Sequence, residues 1–229
     1  MSVRLRHLSQ MVITAVFMVA PIVTVAGDDF PGSKPDRRVL KTQEKVDSLF
    51  EKGDYKRAYF IYLNELAPLG DKYAQYMVGY MQLTGKGVER DYIAGSAWYR
   101  LAAERGNPKF SSARDEVLEL FNEEQRLQSD QKYAELRQQY SDAMIVTQLV
   151  ERDLEALDKV VPTSSTLTLT ADAAALSAAE RARNAEKAKR QIEDRLEFLR
   201  DAMNSGESMS VEEISRIREL EQRAETLLD

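Results

Sequence analysis

The residue types that carry most nucleophilic, acid–base and metal chemistry are nearly missing from this chain. Its 229 residues include one histidine, His7, and no cysteine. If residues 1–26 are a leader, the mature chain has neither type. That excludes Ser-His-Asp and Cys-His nucleophiles, imidazole bases, and zinc sites built on those ligands. Carboxylate, tyrosine and lysine chemistry remains. Asp and Glu together number 38, so neighbours such as Glu123 and Glu124 arise from composition alone. A glycosidase acid and base must face each other across a sugar, and no spacing here selects such a pair. Gly85-x-Gly87 has the look of a phosphate cradle. Such loops follow a strand, however, and no strand pattern precedes this one. No catalytic, cofactor or metal residue is therefore assigned, and the chain reads as a non-enzyme.

Charge removes another class. The 38 acids exceed 32 Lys and Arg, for a net charge of −6 at pH 7, and loss of Arg4 and Arg6 with a leader makes the balance more acidic. A dedicated nucleic-acid binder needs a basic footprint, so no nucleic-acid partner is expected. Arg4 and Arg6, the apolar run Met11 to Val25 and the small residues Thr24-Val25-Ala26 make a secretory signal pattern, with cleavage between Ala26 and Gly27. The run falls short of the roughly 20 residues that span a bilayer, and no later segment is apolar enough to do so. A cysteine-free exported chain suits a bacterial periplasm better than a eukaryotic secretory lumen.

The remaining signals are helical. Residues 27–40 are polar, with two prolines, and read as a flexible lead-in. From Lys41 onward apolar residues recur at helical spacing, and no stretch alternates like a strand. Gly53 ends a first helix over Lys41 to Glu51, and Asp54 can cap a second from Tyr55 to about Ala67. Asp71 can cap a third, to about Leu83, and Asp91 a fourth, over Tyr92 to Arg105. Asn107-Pro108 opens another, with proline at the first helical position. Shifting the chain by 37 residues superposes Asp54 on Asp91, Tyr55 on Tyr92, Ala58 on Gly95 and Tyr62 on Tyr99. Two tandem helix-turn-helix units are legible in that match.

Twelve residues over this stretch stand at fixed spacing: Ala74, Gln75, Gly79, Gly85, Gly87, Val88, Asp91, Trp98, Tyr99, Ala102, Ala103 and Gly106. On them, the segment Ala74 to Gly106 resembles the Sel-one-like repeat, a relative of the tetratricopeptide repeat. A degenerate copy, lacking the G-x-G-V turn, precedes it at Thr42 to Gly70. The resemblance implies an α–α superhelix and a protein-binding role. One position departs, since the pattern has alanine where Gly95 stands, a change that costs a helix interior about 1 kcal/mol. The small residues Gly79, Ala102 and Ala103 allow close helix approach, Trp98 has the bulk to fill the space between successive pairs, and Gly85 and Gly87 can take positive φ. Lys86, between those glycines, is expected to be exposed. Val117, Leu118, Leu120 and Phe121 are expected to provide the neighbouring layer that a repeat needs.

Beyond the repeats, Asn122 and Gln125 form a capping-box pattern for a helix that reads through to about Val160, with Tyr133, Leu136, Tyr140, Met144, Val146 and Leu149 as its stripe. Pro162 ends it, and Thr163 to Ala173 reads as a linker. The helix after the linker carries Ile192, Leu196, Leu199 and Met203 at heptad spacing; a last one, opened by the capping box Ser210 and Glu213, carries Ile217, Leu220, Ala224 and Leu227.

The expected architecture is therefore all-α. A leader (1–26) and lead-in (27–40) precede a short superhelix with capping helices (41–161), a linker (162–173) and a C-terminal helical hairpin or coiled coil (174–229). Severing the chain after Val161 should then leave the repeat domain unaffected. The expected function is an envelope adaptor for a protein or peptide. Its candidate surface is Tyr73, Tyr76 and Tyr80, three and four apart on one helix, where core packing is the simpler explanation and an inner docking wall the functional one. The alternatives are an assembly protein that oligomerises through 174–229 and, more remotely, a carbohydrate-binding or carbohydrate-cleaving protein.

Overall fold

A computed structural model describes residues 30–32, 37–160, 178–205 and 209–228. The Ala26–Gly27 junction and the expected linker at 162–173 lie outside these. Among the described residues every regular element is helical: α1 (Arg37–Glu51), α2 (Tyr55–Ile61), α3 (Lys72–Thr84), α4 (Tyr92–Ala102), α5 (Pro108–Glu119), α6 (Glu123–Tyr140), α7 (Asp142–Val160), α8 (Ala178–Asn204) and α9 (Val211–Leu228). No described helix is long and apolar enough to cross a membrane. The contacts divide the chain into two compact units, one running from Ser33 to Asp142, the other made of Phe30–Gly32 with Ala143–Asp229.

In the first unit the caps do what their chemistry allows. Asp71, Asp91 and Asn107 accept from the backbone N–H of Ala74, Ala94 and Lys109 at 3.0, 2.9 and 3.0 Å. Asn122 and Gln125 close their capping box reciprocally, at 2.9 and 3.1 Å. Asp54 stands before α2 but makes no cap bond; its carboxylate accepts from Arg57 at 3.2 Å. Downstream, α2 widens into a π-helical turn at Tyr62–Leu66 and tightens into a 3₁₀ turn at Ala67–Leu69. The change of pitch puts Tyr62, Leu66 and Ala67 all in the core. α4 is the central helix, packed on α3, α5 and α6. Val117 and Phe121 join that core as expected, whereas Leu120 stays exposed.

The crossing of α3 and α4 explains the departure at position 95. A Cβ there would lie 2.6 Å from Leu83 Cγ and 2.9 Å from the Gly79 carbonyl oxygen. At Gly79 it would lie 2.9 Å from the Gly95 carbonyl oxygen and 2.7 Å from the Tyr99 ring. The two glycines face each other, so Gly95 tightens the helix crossing and does not merely loosen its own helix. Gly95→Ala should therefore destabilise the protein by about 1–2 kcal/mol, because overpacking outweighs the gain in helix propensity. Urea midpoints would measure this, and a raised midpoint would mean the crossing can relax.

Several expected boundaries are corrected from α6 onward and at the lead-in. The stretch 122–160 is not one helix: Ser141, at φ −68° and ψ 153°, leaves helical geometry and separates α6 from α7. Tyr133, Leu136 and Tyr140 pack on the first core. Beyond the break, Val146, Val150, Leu154 and Leu157 share a second core with Ile192, Leu196 and Leu199 of α8 and Ile217, Leu220 and Ala224 of α9. The helical layer that was grouped with the repeats is thus the third helix of the C-terminal unit, and the contacts divide at 142/143, not at 161. Of the two readings of the heptad seam, a hairpin within the chain or pairing with another chain, the packing agrees with the first: Ile192, Leu196 and Leu199 are at most 3% exposed and share a core with Ile217, Leu220 and Ala224. Bidentate pairing of Arg216 with Glu151 and the pair Arg200–Glu221 tie the helices at the rim. The lead-in is also shorter than expected, since α1 starts at Arg37 and Phe30–Gly32 packs in the second unit.

Candidate functional site

The twelve motif residues prove to be structural. Ala74, Gln75, Trp98, Tyr99, Ala102 and Ala103 are buried. Gln75 donates to the carbonyls of Ala67 at 3.3 Å and Tyr140 at 2.9 Å, which joins two helix ends through one buried amide. Trp98 lies 4.7 Å from the Tyr140 ring, between successive helix layers. Val88 packs on the edge of the core; α4 ends at Ala102, capped by Ala103, and not at Arg105 as expected, and Gly106, at φ +67°, closes the turn after it with its N–H on the Ala103 carbonyl at 2.9 Å. Gly85 and Gly87 have φ of +74° and +75°, and a Cβ on Gly87 would meet the Tyr55 carbonyl carbon at 2.4 Å. That turn docks directly on the start of α2. Lys86 is drawn in with it and is not freely exposed. Its ammonium lies 5.4, 5.2 and 5.0 Å from the rings of Phe50, Tyr55 and Tyr80 and donates to the Tyr80 hydroxyl at 2.8 Å.

The three candidate tyrosines part company. Tyr76 and Tyr80 are 5% and 4% exposed, so they cannot line a docking wall. Tyr76 is stacked between Tyr99, at 4.8 Å, and Phe110, at 5.1 Å. The physical reason is ring packing from other helices: Tyr99 of α4 and Phe110 of α5 cover Tyr76, and Phe50 of α1 lies 6.1 Å from the Tyr80 ring. Tyr73, at 38%, reaches the surface. Its ring meets Tyr62 edge-on at 6.3 Å. The Tyr62 hydroxyl donates to Asp47 at 2.8 Å, and Gln43 donates to Asp71 at 2.7 Å. Burial pushes the Asp47 carboxyl above its ordinary range against the Tyr62 hydrogen bond, and the charges of Asp71 and Glu51 push the same way. Burial, then Asp47, pushes the Tyr73 phenol up to about 12, so it is a neutral hydroxyl near pH 7. Leu69, 41% exposed, precedes it in the turn. The result is an aromatic and aliphatic surface edged by two acids, suited to a cationic and apolar partner segment. Asp47 is absent from the sequence reading, and Tyr62 enters it only as a repeat position, because nothing in linear spacing joins α1 and the Tyr62 turn to the first turn of α3.

A second polar cluster is occupied by its own members. Lys72 donates to Glu104 at 2.7 Å, to Gln75 at 3.1 Å and pairs with Asp142 at 3.0 Å. Arg105 grips Asp142 through Nε and Nη2 at 2.8 and 2.9 Å and donates to the Gly70 carbonyl at 2.9 Å. Burial raises the Glu104 pKa, while Lys72 lowers it. Two cations and two anions neutralise one another here, which suits a lock between helix ends. Glu123 and Glu124 lie exposed at the start of α6, where carboxylates favour a helix N-terminus. The hollow lined by Met144, Met209 and Arg216 has about 10 Å³, too small for a ligand.

Residues 72–107 match the Sel1 repeat family model, so the repeat expected at Ala74 to Gly106 is present and spans α3, α4 and the turn after it. Sel1 repeats generally mediate protein–protein interaction. Searches of curated proteins and of solved structures returned no match.

Proposed function

We propose that this Sel1-repeat chain is a non-enzymatic adaptor of the bacterial cell envelope, docking a protein segment on the Tyr73 surface. The observation that carries the reading is an exposed tyrosine on the first helix of the repeat, beside Asp47 and Asp71, where its two sister tyrosines are consumed by packing. The acids favour a partner segment that offers Lys or Arg next to an apolar side chain. Export to the periplasm rests on the leader pattern of residues 1–26.

A photoreactive side chain at position 73 of the full-length protein should trap one dominant partner in cells. The same probe at exposed Lys52 should not. Tyr73→Ala should weaken capture of that partner roughly tenfold, the scale of a tyrosine anchor in an interface. Equal adducts from both positions would remove the surface from consideration. This chain itself should be recovered from the periplasmic fraction with Gly27 at its N-terminus; an intact Met1, or recovery from cytosol, would refute export.

A further inference from the structure

The second unit holds a piece of chain from outside its helices. Phe30–Gly32 is non-helical and reaches this unit from the far side of the sequence, with residues 33–142 intervening. Phe30 packs on the second core, and its ring meets Phe198 edge-on at 5.8 Å with the planes at 78°. The Pro31 carbonyl accepts from Arg195 Nε at 3.0 Å. Arg195 is itself only 5% exposed, and its Nη1 is paired with Asp153 on α7. A guanidinium buried this far is tolerated when its donors are matched. Asp153 neutralises the charge and the strap carbonyl satisfies Nε. Proline is well suited to that place, because it brings an acceptor and no N–H that an apolar rim would leave unpaired.

We propose that Arg195, Asp153 and Phe198 form a peptide-recognition site for an extended aromatic–proline segment, with Phe30-Pro31 as its resident occupant. The aromatic ring seats against Phe198, Arg195 holds the proline carbonyl, and Asp153 fixes Arg195. Tethering gives the strap an effective concentration on the order of millimolar, so a free segment of the same chemistry competes poorly until the strap is weakened. This site is independent of the Tyr73 surface, and either can fail without the other.

The test uses the whole chain from Gly27 and a fluorescent peptide with the sequence of residues 28–33. The peptide should bind a Phe30→Ser chain at least about tenfold more tightly than the unaltered chain, whose own strap competes. A peptide with alanine in place of the phenylalanine should bind neither. Amide exchange around residues 193–200 should speed up in Phe30→Ser and slow again when the peptide saturates it, which also checks that the variant folds. Binding to neither chain, equal binding to both, or exchange unchanged by the substitution would each overturn the proposal.

Discussion

A chain ending at Val160 should lose the second unit as a folded body. It would retain α7 while removing α8 and α9, which supply Ile192, Leu196, Leu199, Ile217 and Leu220 to the shared core. Val146, Val150 and Leu154 are fully buried there and Leu157 is 3% exposed. Burial of each such side chain contributes about 1.5–3 kcal/mol, an upper estimate that still makes the combined loss severe against a domain's total of roughly 5–15 kcal/mol. The truncated chain should lose the helical circular dichroism of α7 and self-associate through its uncovered apolar face. A chain ending at Ala143 should instead keep a cooperative transition, since it retains Asp142 and with it the Lys72 and Arg105 contacts. If the Val160 chain stayed monomeric, with α7 protected from exchange, α7 would belong to the repeats after all.

Trp98→Ala should cost about 3–5 kcal/mol in the first unit, the range for a buried large aromatic. Trp98 is 2% exposed, touches Tyr140 of α6, and lies on the helix that packs on α3, α5 and α6. No single neighbour can therefore move to fill the space. Denaturant midpoints against Lys52→Ala would measure the loss; Lys86 is unsuitable as a control because its ammonium sits among three rings. A midpoint equal to the control's would mean that the layers do not depend on this side chain.

The sequence alone determined the helices, most of their caps and the repeat. These arise from chemistry written locally: Asp or Asn before a helix, glycine in a tight turn, apolar residues three and four apart. It also located Trp98 and the small residues Gly79, Ala102 and Ala103 at helix contacts, because a fixed spacing of types carries its packing with it; the burial of Gln75 it did not foresee. Tertiary structure decided the rest. The stripe from Tyr133 to Leu149 has one continuous helical period, and period says that a face is buried without saying against what; a single extended residue, Ser141, was enough to divide it between two cores. Tyr73, Tyr76 and Tyr80 are alike in type and face, and only the helices closing around α3 separated the surface residue from the two buried ones. Gly95 looked like a flaw until Gly79 and Leu83 stood opposite it. The acids beside Tyr73, and the Arg195 that holds Pro31, likewise join residues far apart in the chain, and their pairing exists only once the fold has brought them together.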